Sequence, residues 1–253
     1  MEIDGTYKFK LRENTIMAEK RGLYDKKNIT EVLKNSKNLK FEKNHYVYTY
    51  NKIIKHFSIL THPISNNKII DEDKLIDWLV IGNSIVYSWM PTIFNIGGKK
   101  NNGDDSLKFI RNIKNETIQP ILENFTYIKE GKVTDKQLEP LRVFINNSVV
   151  GMSKFLHFSF PYEYPIWDSK VESNLSYNFD SKKYCLSKNN QHRVNNLKNY
   201  MTYRESCKQI IEKDDNADYL FDKFNNKSDF NQTGKMRKIE YILFSNNIKK
   251  DNK

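Results

Sequence analysis

Apolar side chains recur along this chain mostly at intervals of three and four, the period of an amphipathic helix. In 26–35, Ile29, Val32 and Leu33 share one side. In 46–60, Tyr46, Tyr50, Ile53, Ile54, Phe57 and Leu60 follow the same period, although His45-Tyr-Val-Tyr-Thr-Tyr50 fits a strand equally well. His62-Pro63 should end that segment, because the residue before proline avoids helical dihedrals. Asp71-Glu-Asp-Lys74 opens another helix, its acids complementing the positive helix N-terminus. There Leu75, Trp78, Leu79, Ile81, Ile85 and Val86 cover so much of the surface that the helix should be central. Asp104-Asp105 start a further helix through Leu107, Ile110, Ile113 and Ile118, with a kink or break expected at Pro120. Thr134 caps one that carries Leu138, Leu141, Val143, Phe144 and Ile145. Helices are also expected over 194–211, 216–224 and 234–246, loops over 95–103 and 176–190, and a frayed tail from 249 to 253. Thr6-Tyr-Lys-Phe-Lys-Leu11 alternates and fits a short N-terminal β element. The pattern therefore predicts a mainly α fold, one domain over 1–253, with helical lobes at about 26–133 and 134–246. No apolar strand runs alternate with helices, which argues against a doubly wound α/β fold.

Composition supports a packed core and a polyanionic partner. The 253 residues are 38% hydrophobic, and 15 Phe, 15 Tyr and 3 Trp supply bulk. The formal net charge is +11 and the sequence pI is near 9.3. Such an excess favours nucleic acid, because each neutralised phosphate releases counterions; a chain simply rich in Lys and Asn would carry it too. Cys185 and Cys207 suit free thiols in a reducing cytoplasm. The start, Met1-Glu-Ile-Asp-Gly5, does not read as a signal peptide. The longest apolar stretch, 78–90, is interrupted by Gly82, Asn83 and Ser84, so no membrane span is expected. With no Cys/His ligand spacing, P-loop, nucleophile elbow or His-Glu-x-x-His word, neither metal nor cofactor is expected.

The densest cluster of chemistry runs from Asn146 to Val171. Lys154 and Asp168 stand fourteen positions apart, a gap of about 21 Å in one straight helix. Pro161 and Pro165 rule that helix out. The economical geometry is a short helix over about 153–160, a turn over 161–166, and a new helix starting near Asp168. Asp168 then serves as an N-cap, as a functional carboxylate, or as both. Lys154 is either a solvated helical lysine or an amine nucleophile.

The words Gly151-Met-Ser153-Lys154 and Pro165-Ile-Trp167-Asp168-Ser, together with Tyr87-Ser-Trp89-Met-Pro91, resemble helix-hairpin-helix DNA glycosylases. The closest similarity is to the branch with an 8-oxoguanine DNA glycosylase fold. That resemblance implies two helical lobes around a DNA-binding cleft, a monomer, and excision of a damaged or modified base, in repair or in defence against modified phage DNA. It implies that Asp168 is the catalytic acid. It also implies that Lys154 is the amine that attacks the sugar C1′ and gives AP lyase activity through a Schiff base. The target nucleotide would be flipped from the duplex. The hairpin departs from the superfamily's usual Leu-Pro-Gly-Val-Gly: here Asn146-Asn147-Ser-Val-Val-Gly151 has one glycine and no proline. The lysine–aspartate spacing is also shorter than the superfamily norm.

Around the pair, each residue has two readings. His157 contacts phosphate or base, or is packed inside. Trp167 stacks on a base or fills the core. Asn146 and Asn147 bind phosphate or terminate a helix. Gly151 admits a close backbone approach, and Ser153 stands beside the lysine as a DNA contact. Lys182-Lys183 and His192-Arg193 are backbone contacts or solvated surface. Two other functions remain open: a non-catalytic DNA-binding protein of the same fold, and a nuclease-like defence protein. Asp71-Glu-Asp73 and Gly103-Asp-Asp105 would suit the latter, but both precede helices, where acids are expected anyway.

Overall fold

Caps and apolar stripes decide where the elements begin and end. The computed structural model describes residues 13, 16–19, 22–36, 45–65, 70–89, 115–179, 191–213, 217–224, 230 and 233–245. Among them the regular structure is helical: α1 (Lys26–Asn35), α2 (His45–Ser65), α3 (Glu72–Trp89), α4 (Asn115–Lys129), α5 (Asp135–Phe144), α6 (Val149–Ser159), α7 (Ser169–Asn178), α8 (Gln191–Val194), α9 (Leu197–Lys213), a 3-10 helix (Ala217–Phe224) and α10 (Lys235–Ser245). The fold is mainly α, as the periodicity predicts. The expected β element at 6–11, the helix at 104–114, the loop at 95–103, most of the loop at 176–190, the tail, and the side chains of Tyr87 to Pro91 lie outside the described residues. No helix among the described residues is long and apolar enough to cross a membrane.

Several expected boundaries are corrected. His62-Pro63 does not end α2, which runs on to Ser65. A proline in the last turn removes only one backbone bond. Pro120 does not break α4, and Pro140 sits inside α5. Each proline stands close enough to its helix start that the freed carbonyl belongs to the first turn, where water can reach it. The single helix expected from 194 is two: Asn196 Oδ1 accepts from the Lys198 and Asn199 amides at 3.0 and 3.3 Å and restarts the chain as α9. The polar stretch from Ser176 stays helical to Asn178. Thr134 does cap α5, in a full capping box with Gln137.

The chain forms two compact units, Met1–Lys43 with Trp167–Lys253, and Asn44–Ile166. The 133/134 lobe boundary read from the sequence lies inside the second unit, because α5 packs on α4 and α6 packs on α2 and α3. An aromatic cluster fills that unit. Trp78 packs at a tilt against Phe155 (centroids 4.6 Å) and edge-on to Phe125 (5.3 Å), and Phe57 meets Phe155 and Phe158 at 5.7 and 5.6 Å. Each such side chain contributes about 1.5–3 kcal/mol on burial. Gly82 lets α3 come this close: a Cβ there would lie 2.8 Å from the Phe155 ring and 3.0 Å from the Phe57 ring.

In the first unit α7 packs on α1 and α10, and α9 on α1. Ile29, Val32, Val171, Leu175, Tyr200, Ile239 and Ile242 are buried there.

Candidate functional site

The segment singled out by sequence begins with a helix-turn-helix connection inside the second unit. Ile145 ends α5, and Asn146 and Asn147 follow with φ of 52° and 54°. Two successive left-handed residues are costly for most side chains, and asparagine tolerates them best after glycine. The asparagines thus do the work of the missing glycines. The Arg142 guanidinium donates to the Asn147 carbonyl at 3.1 Å, and the Ser148 amide to the Ile145 carbonyl at 3.0 Å. Ser148 then caps α6 by accepting the Gly151 amide at 2.9 Å. Asn146 and Asn147 are exposed and terminate a helix. Gly151 is buried and faces protein: a Cβ there would meet Ile145 Cγ2 at 2.9 Å.

Helix α6 is buried on all sides, polar residues included. Lys154 is only 3% exposed, so the solvated-lysine reading fails. Its neighbours Ser153 and His157, read as DNA contacts, are enclosed with it. Ser153 is buried and its hydroxyl donates back to the Val150 carbonyl at 2.9 Å. His157 is fully buried, with Nδ1 2.6 Å from the Tyr164 carbonyl and Nε2 2.8 Å from the Tyr50 hydroxyl. Facing a carbonyl, Nδ1 must carry the proton, and Nε2 of the neutral ring accepts from tyrosine. His157 is a tie between α2, α6 and the turn beyond.

That turn matches the geometry inferred from the prolines. Phe160 caps α6, its carbonyl accepts from the Glu163 and Tyr164 amides at 3.0 and 3.3 Å, and the chain runs on without regular structure to Asp168. Here it enters the first unit. Trp167 is fully buried, its indole N–H donates to the Val194 carbonyl at 2.8 Å, and Tyr24 and Tyr203 lie 5.4 and 5.0 Å away. It fills the core of the first unit. Asp168 is the N-cap of α7: Oδ1 accepts the Lys170 and Val171 amides, both at 2.9 Å. Both bonds use one oxygen, and the residue keeps 9% exposure. Lys154 thus belongs to the second unit and Asp168 to the first, joined by the 160–168 connector.

One turn after Asp168, the fully buried Glu172 anchors an ion-pair network that the spacing does not reveal. Its carboxylate accepts from Arg193 Nε at 2.6 Å, Ser176 Oγ at 2.5 Å and the Tyr24 hydroxyl at 3.1 Å. Burial works against the charge on Arg193, but the Glu172 carboxylate outweighs it and holds the guanidinium above its ordinary value. Burial, and then Glu172, push the Tyr24 hydroxyl far up. Glu19 is raised by burial against the pull of Asn199, which donates to it at 2.8 Å. Arg193 is therefore an internal ion-pair partner and not a phosphate contact; only its neighbour His192 is exposed. The sequence signal was weak: Glu172 and Arg193 are 21 positions apart.

Asp71 of the acidic word is engaged locally, its Oδ1 accepting the Asp73 and Lys74 amides and its Oδ2 pairing with Lys74 at 3.4 Å. Gly103-Asp-Asp105 and Lys182-Lys183 lie outside the described residues. No protein-family model, curated protein or solved structure matches the chain.

Proposed function

We propose that this protein is a DNA N-glycosylase with lysine-dependent AP lyase activity, acting on a damaged or modified base in duplex DNA as a cytoplasmic monomer. The observation that carries the reading is Lys154, the lysine that stands in the buried class among the described residues, set in a helix otherwise apolar or internally bonded. A lysine withdrawn from water needs a reason that a surface charge does not. Asp168 supports it: capping engages Oδ1, and among the described residues no hydrogen bond engages Oδ2.

In this reading Lys154 Nζ attacks C1′ of the flipped nucleotide. The C1′–N bond breaks, and the base leaves with the electron pair and takes up a proton. Asp168 accepts the proton lost by the amine and stabilises cationic character at the sugar. Opening of the sugar gives a Schiff base, and loss of a C2′ proton expels the 3′-phosphate and nicks the strand. The net charge of +11 would favour the duplex.

Borohydride trapping on a panel of modified duplexes tests this. Wild type should form a covalent adduct with one of them, and Lys154→Ala none. Asp168→Asn should slow base release by about 10²–10⁴-fold while still binding DNA. Asparagine caps a helix about as well as aspartate, so the melting temperature should change little, and the comparison verifies that the variant is folded. A folded Asp168→Asn protein that excises at the wild-type rate leaves Asp168 only a cap, and wild type that excises no base and forms no adduct leaves the chain a DNA-binding protein without this chemistry.

A further inference from the structure

The connector that joins α6 to α7 holds out the most exposed large apolar side chain among the described residues, Tyr162, at 75% exposure. Its mounting is rigid. Pro161 and Tyr162 are the two central residues of a turn closed by the Glu163 amide on the Phe160 carbonyl at 3.0 Å, with proline at the position where its fixed φ suits the turn. The base of the turn is clamped three ways. Tyr164 is fully buried and its hydroxyl donates to the Ile128 carbonyl at 2.5 Å. His157 Nδ1 donates to the Tyr164 carbonyl at 2.6 Å. Phe160 packs against Trp78 and Phe125 at 6.0 and 6.2 Å. The Tyr164–Ile128 bond also draws in the end of α4, where Tyr127 is 50% exposed beside the carbonyl that is gripped. The structure thus invests three internal bonds in a turn whose tip carries an aromatic ring into water.

We infer that Tyr162, seconded by Tyr127, is a stacking contact for a nucleobase of bound DNA. This rests on the glycosylase reading above. A phenol ring held at 75% exposure on a braced turn loses little conformational freedom on binding, and every base offers a π-face to it. The charge supports a nucleic acid as occupant: the chain carries +11 overall. The turn itself joins the helix that holds Lys154 to the residue Asp168, so it travels with the proposed chemistry along the chain.

The test is equilibrium binding to a duplex with a tetrahydrofuran abasic analogue, which cannot be excised, measured by fluorescence anisotropy. Base release on a modified duplex is measured separately. Tyr162→Ala should weaken binding by about 5- to 150-fold, and Tyr162→Trp should retain it. Tyr177→Ala removes a tyrosine 54% exposed on α7 and should change nothing. A folded Tyr162→Ala protein with wild-type affinity overturns the contact. If wild type binds the analogue, loses affinity in Tyr162→Ala and yet excises no base, the contact stands and the enzyme reading falls. If wild type excises and Tyr162→Ala binds unchanged, only the contact falls. Wild type that binds no DNA removes both.

Discussion

Helices α6 and α7 flank the same connector, carry Lys154 and Asp168, and are buried by opposite means. Helix α6 is enclosed by Phe57, Trp78 and its own Phe155 and Phe158, with Ser153 and Ser159 bonded back to its backbone and His157 bonded to Tyr50 of α2. Helix α7 is enclosed around a charge, with Glu172 neutralised by Arg193 and bonded by Tyr24 and Ser176. Apolar enclosure is non-directional and tolerates small shifts. A buried ion pair needs every partner in place, since removing one leaves an uncompensated charge. The two units should therefore fail differently.

Strong alkali should give the largest difference. Burial raises the Tyr203 and Tyr24 hydroxyls and the Cys207 thiol, all in the first unit, above their ordinary values of 10.0, 10.0 and 9.0. In the unfolded chain these groups ionise at the ordinary values while the folded ones stay neutral, so the unfolded state binds fewer protons. Stability of the first unit therefore falls as pH rises past 9.0 to 10.0. Proteolysis followed by mass spectrometry should show cuts appearing in 191–213 in that range; full protection of 191–213 well above it would contradict the assignment.

Arg193→Ala comes next, with an expected loss of about 3–5 kcal/mol in urea unfolding. Replacing both partners, Arg193→Met with Glu172→Leu, should recover most of it, because no charge is then stranded. Equal damage from the single and double variants would mean that the pair acts through packing alone. Gly82→Ala in the second unit should cost about 1–3 kcal/mol by overpacking against Phe57 and Phe155, read as a lowered melting temperature. Smallest is Lys132→Ala, which breaks the exposed pair with Glu130 at 3.0 Å. It should move stability by less than about 0.5 kcal/mol.

The same contrast explains what could be read in advance. Helix α1 was legible to the residue from three apolar positions, and the structure adds the Asp25 cap that starts it. Thr134 was legible as a cap because it directly precedes an apolar-periodic run. The helix–turn–helix path from Lys154 to Asp168 followed from two prolines and a minimum reach. Local rules sufficed in each case. They misjudged Pro63 and Pro120, because a proline's effect depends on where the helix starts and stops. They also left Ser153, His157 and Trp167 as candidate contacts, although these side chains are satisfied inside. The Glu172 network was invisible: Tyr24 and Glu172 are 148 positions apart, and nothing in either neighbourhood marks the partner.

That separation bears on how the molecule is made. The second unit, Asn44–Ile166, is one uninterrupted stretch, whereas the first is assembled from both ends of the chain. During synthesis from the N-terminus, everything needed for the aromatic cluster has been polymerised before Glu172 is added. Tyr24 and the helix α1 beside it must wait, their apolar side uncovered, until Val171, Leu175 and Arg193 arrive. The first unit is thus the late and vulnerable step of biogenesis, the stage at which exposed apolar surface invites chaperones or aggregation. A chain ending at residue 166 should already hold a protease-resistant second unit and an unprotected N-terminal segment.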